Sequence, residues 1–229
     1  MPTVKPPEEA TTLDALRRAA ASCTGCDLYK RATQTVFGEG NPRASIMLIG
    51  EQPGHEEDLA GRPFVGPAGR LLDKALVQAG LDRRHVYITN IVKHFKWKEK
   101  EGGKRRIHEK PGRGEVEACR PWFDKELWLV QPEVLVCLGA TAAAAILGPA
   151  VRVGTARGRA LSSPQGIRTF VTVHPSAILR IPEDAERAAE MGRFVADLRR
   201  ASSRSGKAAR PSSPSRRPGS GSSKGAPAR

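Results

Sequence analysis

A chain of 229 residues is long enough for one α/β domain with a core of its own. No apolar run approaches the ~20 residues of a membrane span, and the opening MPTVKPPEEATT lacks the apolar stretch of a secretory signal. The chain therefore reads as cytoplasmic, without a membrane partner, and its net charge of +14 favours a polyanionic one.

In chain order, Thr12 can cap a helix whose apolar stripe is Leu13, Leu16, Ala19 and Ala20. That helix ends at Cys23-Thr-Gly-Cys26. SIMLIG (45–50) is a short continuous apolar run, as expected of a strand buried on both faces. A Gly/Pro-rich loop and a helical pattern over 70–80 follow, then a second strand, VYITNIV (86–92). Residues 93–113 hold nine Lys/Arg against three Glu. Within them GGKRRIHEKPG has neither an apolar face nor strand-like alternation, so it reads as a loop carrying a single histidine, His108. A helix over 115–130, a third strand EVLVCLG (133–139), a helix over 141–147, a fourth strand TFVTV (169–173) and a last amphipathic helix over 184–200 complete the pattern.

Residues 201–229 form a tail with seven Lys/Arg and no acid, too poor in apolar residues to offset its ordering entropy. The expected division is thus a folded unit over 1–200 and a disordered basic tail over 201–229, the tail acting as a solubilising, non-specific polyanion binder. Strands alternating with helices imply a three-layer α/β/α sandwich around a mostly parallel four-stranded sheet. Ligands bind such sheets beyond the carboxyl ends of the strands. Glu51-Gln52-Pro53-Gly54, Asn90 with Lys93 and His94, and His174-Pro175-Ser176 all fall there.

Four cysteines in such a chain point to thiols or metal ligands rather than disulfides. Cys23 and Cys26 have metal-ligand spacing.

GEQPG, EDLAGRPFVGPAGRLLD, the TN-VKH strand end and HPSAILR together resemble the family 4 uracil-DNA glycosylases over roughly residues 10–200, and KRRIH (104–108) resembles the mark of their UdgX branch, which stays covalently joined to DNA. The resemblance implies the uracil-DNA glycosylase fold, uracil-containing DNA as partner with single strands accepted, and a monomer. It implies that Phe64 stacks on the extruded base. Asn90 would read the base edge, since an amide can match the acceptor at uracil O4 and the donor at N3. His174 would face O2 and stabilise the departing anion. Gln52 and the backbone at Gly54 would form the uracil-contacting turn. Glu51 would stabilise positive charge on the sugar, or orient a water or His108. Ile178 or Leu179 would wedge into the duplex, and Arg180 would meet a phosphate. Lys104, Arg105 and Arg106 would hold the loop on DNA phosphates and deliver His108 as covalent nucleophile. A solvated loop that only grips phosphates is the plainer reading of the same residues.

The family binds a [4Fe-4S] cluster through four cysteines. Aligned here, the ligands become Cys23, Cys26, His94 and Cys119, with His at one position. A Cys3His zinc is the alternative metal. Cys137 is the alternative ligand, though in EVLVCLG a free cysteine behaves as a small buried hydrophobe. A hydrolytic glycosylase with turnover and a non-catalytic DNA-binding module remain the other functional readings.

Overall fold

The computed structural model describes residues 4–99 and 106–203. Thr12 is extended and its hydroxyl accepts the Ala15 amide at 3.2 Å, opening α1 (Leu13–Ala20). A 3₁₀ turn, Asp27–Lys30, follows the two cysteines. The remaining elements are β1 (Glu39–Gly40), β2 (Ile46–Gly50), α2 (His55–Ala60), α3 (Pro67–Ala79), β3 (Tyr87–Asn90), β4 (Trp97–Glu99) and β5 (Arg106–His108). Then come α4 (Arg113–Val130), β6 (Val134–Leu138), α5 (Ala140–Leu147), α6 (Val153–Ala156), β7 (Leu161–Ser162), β8 (Arg168–Thr172), α7 (Pro175–Leu179) and α8 (Asp184–Ser202).

The main sheet runs in the order β1-β3-β2-β6-β8-β7. Its four central strands are parallel, and β1 and β7 pair antiparallel at the two edges. The four expected strands are these parallel ones. The two edge strands have two residues each, too short to show alternation in sequence.

Both faces of the sheet are covered, which is why its strands read as unbroken apolar runs. Along β2, Met47 and Ile49 pack with Phe123, Leu127, Ala142 and Ile146 of α4 and α5. Ile46 and Leu48 pack on the opposite face with Leu72 and Leu76 of α3, Ile178 of α7 and Phe194 and Leu198 of α8. Each such buried side chain contributes roughly 1.5–3 kcal/mol. A third cluster joins Leu16 and Ala20 of α1 to Phe37, Cys23 and Trp122 of α4, fixing the N-terminal helix to the sandwich.

The basic segment is not a plain loop. Its two ends pair as an antiparallel hairpin with Trp97 opposite His108, Lys98 opposite Ile107 and Glu99 opposite Arg106. The pairing spans three residues on each side and carries no apolar stripe, so it left no periodic signal. Lys104 and Arg105 lie outside the described residues. The expected boundary at residue 200 also moves: α8 continues to Ser202, and Ala201 is fully buried. The tail beyond 203 lies outside the described residues. Among the described residues no helix is long and apolar enough to cross a membrane.

Candidate active site

β2 and β3 are parallel neighbours that end side by side, Gly50 opposite Asn90. A Cβ on Gly50 would lie 2.3 Å from Asn90 Oδ1 and 2.6 Å from the tip of the Phe64 ring, so glycine is what lets these two side chains meet at the strand ends. Asn90 is buried and its Oδ1 has no hydrogen-bond partner. A buried carbonyl oxygen left without a donor is costly unless a ligand supplies one. The main chain of Asn90 is fixed from below, where Lys93 Nζ donates to its carbonyl at 2.7 Å. Lys93 is itself fully buried and ion-paired with Glu126, whose carboxylate also accepts from the Tyr87 hydroxyl at 2.9 Å and the Gly38 amide at 3.0 Å. Lys93 therefore belongs to the interior rather than to the basic surface.

Phe64 is buried with φ of 54°, a left-handed conformation that costs a non-glycine residue of order 1–3 kcal/mol. Its ring tilts 35° against that of His174, with centroids 5.8 Å apart. The buried Glu57 carboxylate ties the two flanking turns together, accepting the Gly54 amide at 3.1 Å and the Gly66 amide at 2.8 Å. His174 is the N-cap of α7. Its Nδ1 accepts the Ser176 amide at 3.2 Å, so the proton of the neutral ring sits on Nε2. Burial of the ring, then the charges of His108 and Arg180, lower its pKa to about 4. His174 is thus a neutral donor at neutral pH.

Glu51 follows β2 and stands between two partners. Thr141, at the start of α5, donates to Oε2, and His108 Nε2 lies 3.4 Å from Oε1. The His108 side chain is 48% exposed, open to an incoming ligand. Its hairpin is strapped down by Arg106, which donates to the fully buried Asp58 at 2.6 Å and to His55 Nδ1 at 3.0 Å and lies over the rings of Phe95 and Trp97. The Trp97 indole donates to the Arg31 carbonyl at 3.0 Å on the far side.

The cysteines and His94 lie beneath this mouth. Thr35 gives its single hydroxyl proton to the Ala20 carbonyl at 3.0 Å, so the contact at 2.9 Å with His94 Nε2 requires that nitrogen to donate. His94 Nδ1 is left as a bare, buried lone pair without a partner. The Cys119 sulfur accepts the Lys93 amide at 3.5 Å, and the Cys23 sulfur accepts the Trp122 indole at 3.2 Å. Hydrogen bonding from Cys119, together with His94, outweighs burial and lowers the Cys26 pKa to about 5. Cys137 stands apart on β6, fully buried, its thiol pushed up to about 12 by burial alone. Among the described residues no three His, Cys, Asp or Glu side chains already meet in a constellation that would hold a metal ion. The donor chemistry nevertheless suits a soft-metal centre: three thiols, two accepting N–H bonds, and an imidazole whose other nitrogen is fixed as a donor.

Residues 37–199 match the Uracil DNA glycosylase superfamily. The chain belongs to the uracil-DNA glycosylase superfamily. It is 35% identical over 179 residues to a type-4 uracil-DNA glycosylase of Archaeoglobus fulgidus, covering 75% of this chain and 85% of that protein. Against the type-4 uracil-DNA glycosylase of Pyrobaculum aerophilum the identity is 34% over 193 residues, covering 81% and 91%. Against that of Thermotoga maritima it is 38% over 159 residues, covering 69% and 78%.

Within this superfamily domain the structure brings Glu51, Phe64, Asn90, His108 and His174 to one mouth. Two side chains expected to meet the substrate, Gln52 at the base and Arg106 at DNA phosphates, have partners within the fold. Gln52 is buried, and its amide is used by the base of the hairpin: Nε2 donates to the carbonyls of Lys96 at 3.1 Å and Glu109 at 3.0 Å, and Oε1 accepts the Lys96 amide at 3.0 Å. Both protons of its side-chain amide are thus taken. Arg106, on the same face of β5 as His108, is bonded to the buried Asp58 rather than free to meet phosphates. Of the two wedge candidates, Ile178 is fully buried and Leu179 is 43% exposed. Arg180, at the end of α7, is exposed beside it, with a 3.3 Å contact to Ser176. Sequence reasoning missed Thr141, Glu57 and Asp58. The one available signal was position, since Thr141 follows the end of β6 and the two acids open α2 directly after GEQPG.

Proposed function

We propose that this chain is a uracil-DNA glycosylase of the UdgX type, which excises uracil and then bonds to the resulting abasic sugar through His108. The observation that carries this reading is the placement of His108 Nε2 3.4 Å from Glu51 in the same mouth as Phe64, Asn90 and His174. The orphaned Asn90 Oδ1 suits the N3–H of uracil, which cytosine lacks. Stacked on Phe64, the base presents O2 to the Nε2–H of His174. As the C1′–N1 bond breaks, its electron pair leaves with uracil, and that donor stabilises charge that exists only late in the reaction. The Glu51 carboxylate stabilises the positive charge left on the sugar. The lone pair of a His108 ring nitrogen then forms the new bond to C1′, and the proton released from the ring balances the one uracil takes up. A histidine already held at that carbon outcompetes water through its effective concentration. The test is to mix the protein with a uracil-containing single-stranded oligonucleotide. A heat-stable band of increased mass on a denaturing gel, with free uracil released, is expected. Free uracil without the band would identify an ordinary hydrolytic enzyme, and binding without uracil release a non-catalytic module.

Cys23, Cys26, His94 through Nδ1, and Cys119 would hold the [4Fe-4S] cluster. When bound, it supplies cross-linking free energy between the CxxC segment, the end of β3 and α4. All steps on the base fall to the residues of the mouth. Purified protein should be brown and carry about four irons per chain by elemental analysis. Stoichiometric zinc without iron would instead assign a Cys3His zinc centre. Cys137→Ala should leave the metal content unchanged.

A further inference from the structure

Phe64 is the one residue of the mouth held in a strained backbone conformation, with φ of 54°, and strain persists only where the surroundings enforce it. The enforcing contacts come from outside the mouth. Arg83 lies on the 3₁₀ turn Arg83–His85 that precedes β3. Its Nη2 donates to the Pro63 carbonyl at 2.9 Å, and its Nη1 to the Phe64 carbonyl at 3.3 Å. The same Nη1 is held by Asp73 of α3 at 2.6 Å. The backbone of Gly69 also packs closely on the same peptide, where an added Cβ would fall 1.8 Å from the Phe64 oxygen. Two successive carbonyls are thus gripped by one planar guanidinium and backed by a glycine. A lysine, with a single point of charge, cannot reproduce that fork.

We propose that Arg83, braced by Asp73, is a positioning residue that holds Phe64 in its left-handed conformation and so sets the uracil-stacking ring against Asn90 and His174. The inference rests on the reading of Phe64 as the stacking ring. Arg83 touches neither Asn90 nor His174, and acts on the base only through the Pro63–Phe64 backbone. It also ties two halves of base recognition together, since the turn that carries it leads directly into β3 and thence to Asn90.

A double-mutant cycle read by single-turnover uracil release tests this. Phe64→Ala is expected to slow release about 30-fold, the scale of a lost base–aromatic stack. Arg83→Lys is expected to slow it about 10-fold in the presence of Phe64, as a displaced positioning group does, and less than about 2-fold in the Phe64→Ala background. A merely structural arginine would cost the same in both backgrounds, and that result, or full activity of Arg83→Lys, overturns the clamp. Undiminished release by Phe64→Ala overturns the reading of the ring, a separate outcome visible in the first variant alone. Asp73→Asn, at a half-exposed position, enters the same cycle with the same expected pattern. It takes the place of Arg83→Lys if that variant does not yield folded protein.

Discussion

His108→Ser is expected to abolish the heat-stable protein–DNA band while uracil release continues. The two outcomes should separate because, in the proposed mechanism, the groups that detach the base are not the group that captures the sugar. Phe64, Asn90 and His174 are held by the strand ends, Gly50, Lys93 and the α7 cap, none of which depends on His108. The histidine side chain is half exposed on a hairpin anchored through Arg106, Gln52 and Trp97, so its truncation leaves the hairpin in place. Water should then enter the vacated space beside Glu51 and complete the reaction, giving free uracil, an abasic site and repeated turnover. Adduct yield should fall at least about 10³-fold, the scale of losing an intramolecular nucleophile. A denaturing gel run beside a uracil-release assay reads both. A band formed by His108→Ser at the wild-type rate would place the nucleophile elsewhere.

His174→Ala is expected to slow uracil release itself by about 10²–10³-fold, the usual cost of removing a donor aimed at developing negative charge. Adduct formation should fall with it, because in the proposed sequence capture follows departure of the base. The same substitution removes the N-cap of α7, worth about 1 kcal/mol, too little to account for the rate loss. A pH signature accompanies it. The folded pKa of His174 is about 4 against an ordinary 6.5, so between these values the unfolded chain binds the extra proton. The contribution of the neutral ring to stability is therefore fully present above pH 6.5 and is lost as pH falls toward 4. Denaturant melts of wild type and His174→Ala should show a stability difference that narrows across that window. A difference that stays constant from pH 7.5 to 4.5 would mean the ring is not held neutral by its surroundings.

The legible parts of this protein are those written in local periodicity. The apolar runs at 45–50, 86–92, 133–139 and 169–173 announce strands because both faces of the sheet are covered. Thr12 announces a helix start because its hydroxyl serves a backbone amide three residues away. The convergence of Glu51, Asn90 and His174 was legible too, because parallel strands place their carboxyl ends at one edge. Charge was legible only as a sum. Of the nine cations in 93–113, Lys93 is paired with Glu126, Lys96 with Glu115 and Arg106 with Asp58, so these three anchor the interior, whereas Arg113 pairs with Glu117 on the exposed surface.

The sequence by itself determined the layered α/β architecture, the mouth at the strand ends and the residue types gathered there, because these follow from alternation, capping and chain direction over a few residues. Only the tertiary structure decided that Gln52 and Arg106 serve the hairpin, that Thr141 meets Glu51 and that Arg83 grips the Phe64 turn. Those partners lie 19–90 positions apart in the chain. A side chain's identity states what it can bond to, and only packing states which of its possible partners is within reach.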